Sequence, residues 1–173
     1  MSQQSFSPET HAFIILKAAD MFQLTTENQT AIMNKINIGY SKNHAKFNTM
    51  EGGRIKDLKN FAGDAGFAGH LNESYMYLYI KKNSDLYKTL SKNPDLKKET
   101  FEGYELFYLT KETERDVLIT EDDIDGCVGF KPHHSYPDGK TIEPTCFVSF
   151  LPRLGSVLLP TGERHFATLL EVD

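Results

Sequence analysis

Little in this sequence announces a chemistry. Only two cysteines occur, Cys127 and Cys146, too few for a disulfide framework, and in a reducing compartment they are expected as free thiols. No apolar run approaches the roughly 20 residues of a membrane helix, so no membrane partner is expected. The opening MSQQSFSPETHAF lacks the basic region that begins a signal peptide, which makes cytoplasmic residence the expectation. Positive charge is not in excess: 19 Lys and Arg stand against 24 Asp and Glu, a net charge of −5. That excludes a protein that coats nucleic acid by charge alone. The chain has no Gly-x-Ser-x-Gly turn, P-loop, dinucleotide fingerprint or Cys-x-x-Cys pair, and no repeat or low-complexity linker. No motif names a family or a cofactor.

What is present is an ordinary globular composition, with 39% hydrophobic, 12% aromatic and 25% charged residues over 173 positions. That length suits one domain, residues 1–173, which buries about 70% of its unfolded surface. The first part, 1–49, reads as helical. Ser7-Pro8-Glu9 has the cap, proline and acid order of a helix start, and the apolar residues from Ala12 to Phe22 predict a mostly buried helix to about Leu24. A second helix is predicted from Thr26, with Gln29 completing a capping box and Ile32, Met33, Ile36 and Tyr40 on its apolar face. Residues 50–73 form a glycine-containing stretch expected to be a mobile loop.

From residue 74 the period changes to two. Tyr75, Tyr77 and Tyr79 alternate with Met76, Leu78 and Ile80, and Tyr104, Leu106 and Tyr108 with Glu105, Phe107 and Leu109, predicting two strands. A short helix near 84–92 is expected to open at Ser84 and stop before Asn93-Pro94. Further strands are predicted at Asp116–Thr120, Cys127–Phe130, Cys146–Leu151, Ser156–Leu159 and Arg164–Val172. Turns are expected at Asp125-Gly126, Pro137-Asp138-Gly139, Leu154-Gly155 and Pro160-Thr161-Gly162. The fold class is therefore α+β: N-terminal helices on one face of a mostly antiparallel sheet of about six or seven strands. Charge divides unevenly, +4 over residues 1–98 and −9 over 99–173, so the two halves either form opposite patches or face each other and cancel.

Five groups of side chains could carry chemistry. Glu121, Asp123 and Asp125, followed by Gly126, match the first half of a calcium loop, but Pro132 stands where its bidentate glutamate belongs. A solvated acidic turn is the competing interpretation. Cys127 and Cys146, with His133 or His134 and with His165, could ligate zinc, although such cysteines are more often core residues. His133, His134, Asp138 and His165 are the candidate catalytic group of a metal-dependent hydrolase or nuclease, the metal activating water. Cys146 or Ser149 beside a histidine would be the parts of a nucleophilic site. The glycine stretch, with Arg54 and Lys56, could cradle a phosphate.

The tyrosine row, Tyr75, Tyr77, Tyr79, Tyr104 and Tyr108, is either the inner side of a covered sheet or a surface for a protein or for stacked bases. Together these features favour a binding or regulatory protein without a cofactor. It would engage a protein partner through the tyrosine face or the acidic turn from Glu112 to Asp125, with Asp122 among the contacts. A divalent-metal hydrolase and a single-stranded nucleic-acid binder are the alternatives.

Overall fold

In an uninterrupted apolar run, helix and strand compete, and what lies on either side of the run decides between them. The computed structural model describes residues 7–47, 53–135 and 140–150, and in it the run after Thr10 is a strand, β1 (His11–Lys17). This corrects the helix predicted from Ser7 to Leu24. The Ser7 carbonyl does accept from the Thr10 and His11 amides, so the capping signal closes one turn. The chain then extends between two neighbours: β1 pairs antiparallel with β2 (Tyr75–Lys81) and parallel with β4 (Tyr104–Tyr108). A strand paired on both edges and covered on both faces needs no polar positions, which is why its hydrophobic pattern is continuous rather than alternating. Only the short α1 (Ala18–Met21) remains of the predicted helix.

The sheet has six strands in the order β3-β4-β1-β2-β5-β6, all neighbours antiparallel except β1 and β4. The fold is α+β, with a mostly antiparallel sheet, as composition and periodicity indicate. β5 (Ile124–Pro132) and β6 (Ile142–Ser149) close one side. β3 (Lys97–Phe101), absent from the strand prediction, closes the other. Its sequence KKETF is polar and largely exposed, as befits an edge where lysine discourages pairing with other chains. The predicted strand at Asp116–Thr120 does not form. Asp116 has a left-handed φ of 63°, and the backbone beyond it bonds to a side chain instead of a ladder. Asn28 donates to Val117 O at 3.0 Å and accepts from Ile119 N at 2.7 Å. Asp125-Gly126 is not a turn but part of β5. The predicted strands at 156–159 and 164–172, and the turns at 137–139, 154–155 and 160–162, lie outside the described residues.

α2 (Thr26–Phe47) forms where predicted. Thr25 is its cap, accepting from Asn28 N, while Gln29 reaches back to the carbonyls of Phe22 and Leu24. Glu114 completes this end: its carboxylate, 8% exposed, accepts from Thr25 N, Thr25 Oγ1 and Asn28 Nδ2. The helix N-terminus and these donors satisfy a buried carboxylate that makes no ion pair within 4 Å among the described residues. The 84–92 prediction also holds, as α4 (Asp85–Lys92), with Ser84 accepting from Tyr87 N.

From residue 53 on, the glycine stretch packs into the core, where a loop free of the core was expected. It contains α3 (Phe61–Asp64), and Ile55, Phe61, Ala65 and Phe67 are buried. These join Ile32, Ile36, Leu86 and Leu90 from the helices and Ile14, Leu16, Met76, Leu78 and Ile80 from the sheet in the larger core. Among the described residues the helices serve this face alone. The opposite face carries Phe13, Ile15, Tyr77, Tyr79, Leu106, Val128 and Phe130 in a second cluster. No helix among the described residues is long and apolar enough to cross a membrane.

α2 crosses β6 closely at Gly39, where an added Cβ would collide with the Val148 side chain. Helix propensity alone favours Gly39→Ala by roughly 1 kcal/mol. The contact reverses that sign, and we expect a net loss of about 1–3 kcal/mol from overpacking, read as a lower urea midpoint with an unchanged slope.

Candidate functional site

The most organised polar cluster sits where β1, β2 and β5 end together, and a sheet irregularity creates it. Tyr79 pairs with Gly126 and the next residue, Ile80, with Ile124, so Asp125 is an extra residue bulged out of register. A bulge re-aims the side chain it carries. Here the Asp125 carboxylate is placed beside β1, with Oδ2 2.8 Å from His11 Nε2 and Oδ1 3.4 Å from Lys81 Nζ. His11 is 2% exposed and Asp125 6%. The other imidazole nitrogen, Nδ1, lies 2.8 Å from Thr10 Oγ1, and the ring stacks on Tyr79 at 4.2 Å and 9°. The bulged carbonyl is not wasted, since it accepts from Phe150 N.

Burial alone would raise the Asp125 pKa. The His11 hydrogen bond and the Lys81 charge outweigh it, so the carboxyl is held below its ordinary range. Burial pushes the Tyr77 and Tyr79 phenols well above theirs, and Tyr104 up to about 12. Tyr77, Tyr79 and Tyr104 therefore stay neutral at pH 7.

The cluster reaches outward through Lys81, which also donates to the Asp122 carbonyl at 2.6 Å. That carbonyl belongs to a turn of 3₁₀ helix, Glu121–Asp123. Asp123 caps it, accepting from Thr120 N and Thr120 Oγ1, and Glu121 accepts from Asn34 of α2 at 2.7 Å. The three carboxylates of the calcium-loop pattern thus have three separate engagements: Glu121 with α2, Asp123 with its own turn and Asp125 with His11. Asp122 alone turns its carboxylate to solvent. Between this turn and α2 lies an open groove of about 460 Å³, lined by Thr26, Glu27, Thr30, Ala31, Thr120, Glu121 and Asp122. Past Glu121 it continues into a hollow lined by Asn34, Asn37, Ile38, Ser41 and Lys42. None of Glu27, Glu121 and Asp122 makes an ion pair within 4 Å among the described residues.

The tyrosines form the predicted row on one face, but Tyr77 and Tyr79 are each only 2% exposed. Tyr77 packs edge-on against Phe130, and Tyr108 donates to Glu99 at 2.7 Å. Tyr75, Tyr104 and Tyr108 are half-buried. Cys127 and Cys146 meet in the core, Cys127 Sγ donating to Cys146 O at 3.4 Å. Burial raises both thiols' pKa values, which favours the protonated form in the metal-free protein. Arg54 lies over the Tyr40 ring at 5.9 Å, and Lys56 is exposed, its amide donating to Asp64. His133 and His134 stack at 4.7 Å, and Glu143 Oε2 lies 3.3 Å from His134 Nδ1. Asp138 and His165 lie outside the described residues. The charge halves partly face each other, through Lys81–Asp125 and Lys82–Glu105.

The sequence reading passed over His11 and Thr10. A histidine opening an apolar strand opposite an acid that precedes a glycine was a usable sign, but only with residues 12–16 read as a strand.

Fold and site define an α+β protein whose polar centre is a buried carboxylate–imidazole clamp bracing an acidic turn. Residues 1–173 match the family described as sporulation protein RMD6, and the chain belongs to that family. No curated protein and no solved structure matches it.

Asp125→Asn removes the ionised acceptor, and a loss of about 1–3 kcal/mol at pH 7 is expected. The folded pKa is depressed, so this contribution is present above the unfolded value of about 3.9 and lost as pH falls through the folded one. Urea titrations at stepped pH should show wild type and variant converging below about pH 4.

Proposed function

We propose that this chain is a non-catalytic regulatory protein of sporulation that engages a basic protein partner through the groove between α2 and the acidic turn. The observation that carries the reading is the placement of Glu27, Glu121 and Asp122 around one open groove, with the turn fixed from behind by Lys81 and Asn34. Membership in a sporulation protein family is compatible with a regulatory role. Unpaired carboxylates at a groove accelerate the approach of a cationic surface and penalise an anionic one. The groove's continuation past Ile38, 38% exposed, supplies an apolar contact beside the charged one. A helix with lysines or arginines at one end and an apolar stripe fits both.

Of the two surfaces considered from sequence, the acidic one is favoured. The rings at the centre of the tyrosine row are engaged within the fold, whereas Asp122 and Glu27 are exposed. The same burial weighs against base stacking on Tyr77 and Tyr79, which needs open ring faces.

The test is association kinetics with synthetic helix-forming peptides carrying four or five lysines and an apolar stripe. Association should slow as salt rises from 50 to 500 mM, and the triple variant Glu27→Gln/Glu121→Gln/Asp122→Asn should slow it roughly ten-fold with less effect on dissociation. An association rate indifferent to salt and to these three changes would remove the proposal.

A further inference from the structure

The far end of the β5–β6 hairpin carries a second set of convergent groups, at some remove along the strand from the Asp125 bulge. Lys131 of β5 pairs with Glu143 of β6, and the ladder extends one step further as His133 N donates to Thr141 O at 2.9 Å. Alternation places His133 on the same face as Lys131 and, across the pair, Glu143. The chain turns at His134, folding that ring onto His133 at 4.7 Å and 16°. The Ser135 amide donates to His133 Nδ1 at 3.1 Å and steadies the ring. One ligand atom from each of His133, His134 and Glu143 lies within 4.8 Å of the other two. His134 Nδ1 and Glu143 Oε2 are 3.3 Å apart, about the separation of two ligands that each sit ~2.0–2.1 Å from a tetrahedral ion.

We propose that His133, His134 and Glu143 form a binding site for a divalent cation of the zinc class. Two imidazoles and one carboxylate are the donors such an ion accepts, and imidazole selects it over magnesium or calcium, which take oxygen shells. Three protein ligands leave a coordination position for water or an outside donor. His134 is exposed and the other two are half-buried, so drawing the three atoms together costs side-chain rotations and no rearrangement of the core. One neighbour opposes the ion: Lys131 Nζ lies 3.6 Å from Glu143 Oε2 and competes for the same oxygen. That opposition gives the site a signature that an incidental pair of histidines would lack. Bound metal joins the ends of β5 and β6, so it also stabilises the fold.

Calorimetric titration of zinc chloride into tag-free, chelator-stripped full-length protein is the experiment. One ion per chain is expected, with a rise in Tm. His134→Ala abolishes binding, and Glu143→Gln weakens it by about 10-fold or more. Lys131→Met strengthens it several-fold by removing the competing ammonium. All three positions are outside the core, and circular dichroism confirms that each variant is folded before titration. The proposal is overturned if the wild-type chain takes up no stoichiometric zinc at micromolar concentration. It is overturned equally if uptake survives His133→Ala/His134→Ala, or if calcium displaces zinc at comparable concentration.

Discussion

A carboxylate that cannot reach water must find a proton, a cation or a set of donors. At Asp125 the fold supplies two of these together, the His11 imidazole at 2.8 Å and the Lys81 ammonium at 3.4 Å. Three strands depend on that arrangement. His11 begins β1, Lys81 ends β2 and Asp125 interrupts β5, so one acid fixes the common end of the sheet. Without the bulge, β5 would stay in register with β2, and Asp125 would project to the face its place in the alternation dictates. With it, Lys81 is oriented to hold the Asp122 carbonyl as well. The acidic turn inherits its position from the buried pair.

Glu114 solves the same problem differently and braces the other wall of the groove. It accepts from the start of α2 and from Asn28, and Asn28 in turn ties down the backbone at Val117 and Ile119. The segment from 114 to 119 is thereby anchored to a helix rather than to a strand, and it leads directly into the turn at Thr120. Groove wall and acidic turn are thus fixed to one another through two buried acids, neither of which touches the groove. A binding surface held this way loses little conformational entropy when a partner arrives.

The legible parts of the sequence were those where local and tertiary demands agree. Ser84 to Asn93 carries its own cap, face and stop, and β2 alternates cleanly because its two faces differ in kind. β1 was illegible for the opposite reason. Ala12 to Leu16 is apolar throughout because neighbours cover every side, and those neighbours lie some 60 to 90 positions away. The capping signal at Ser7 was locally correct and globally outvoted. β3 was missed because an exposed edge needs no apolar pattern. At the candidate site the acidic turn was visible as composition. Its division into Glu121, Asp123 and Asp125, each with its own partner, depended on the bulge and on α2, which no spacing encodes.

That division bears on what the acidic turn can do. Three carboxylates free to converge would hold a cation, and the turn would then be neutral to a protein partner. Here Asp123 is spent on its own cap, Asp125 faces inward and Glu121 is held by Asn34, so no pair can close on one ion without breaking a buried or capping bond. Asp122 and Glu27 are exposed at the surface. The cysteines are likewise engaged in the core, their thiol pKa values raised by burial, whereas His134 is exposed and His133 half-buried at the hairpin end. The fold thus separates its acids by role: Asp125 and Glu114, which brace the framework, are buried, whereas Glu27 and Asp122 are exposed at the groove and make no ion pair within 4 Å among the described residues.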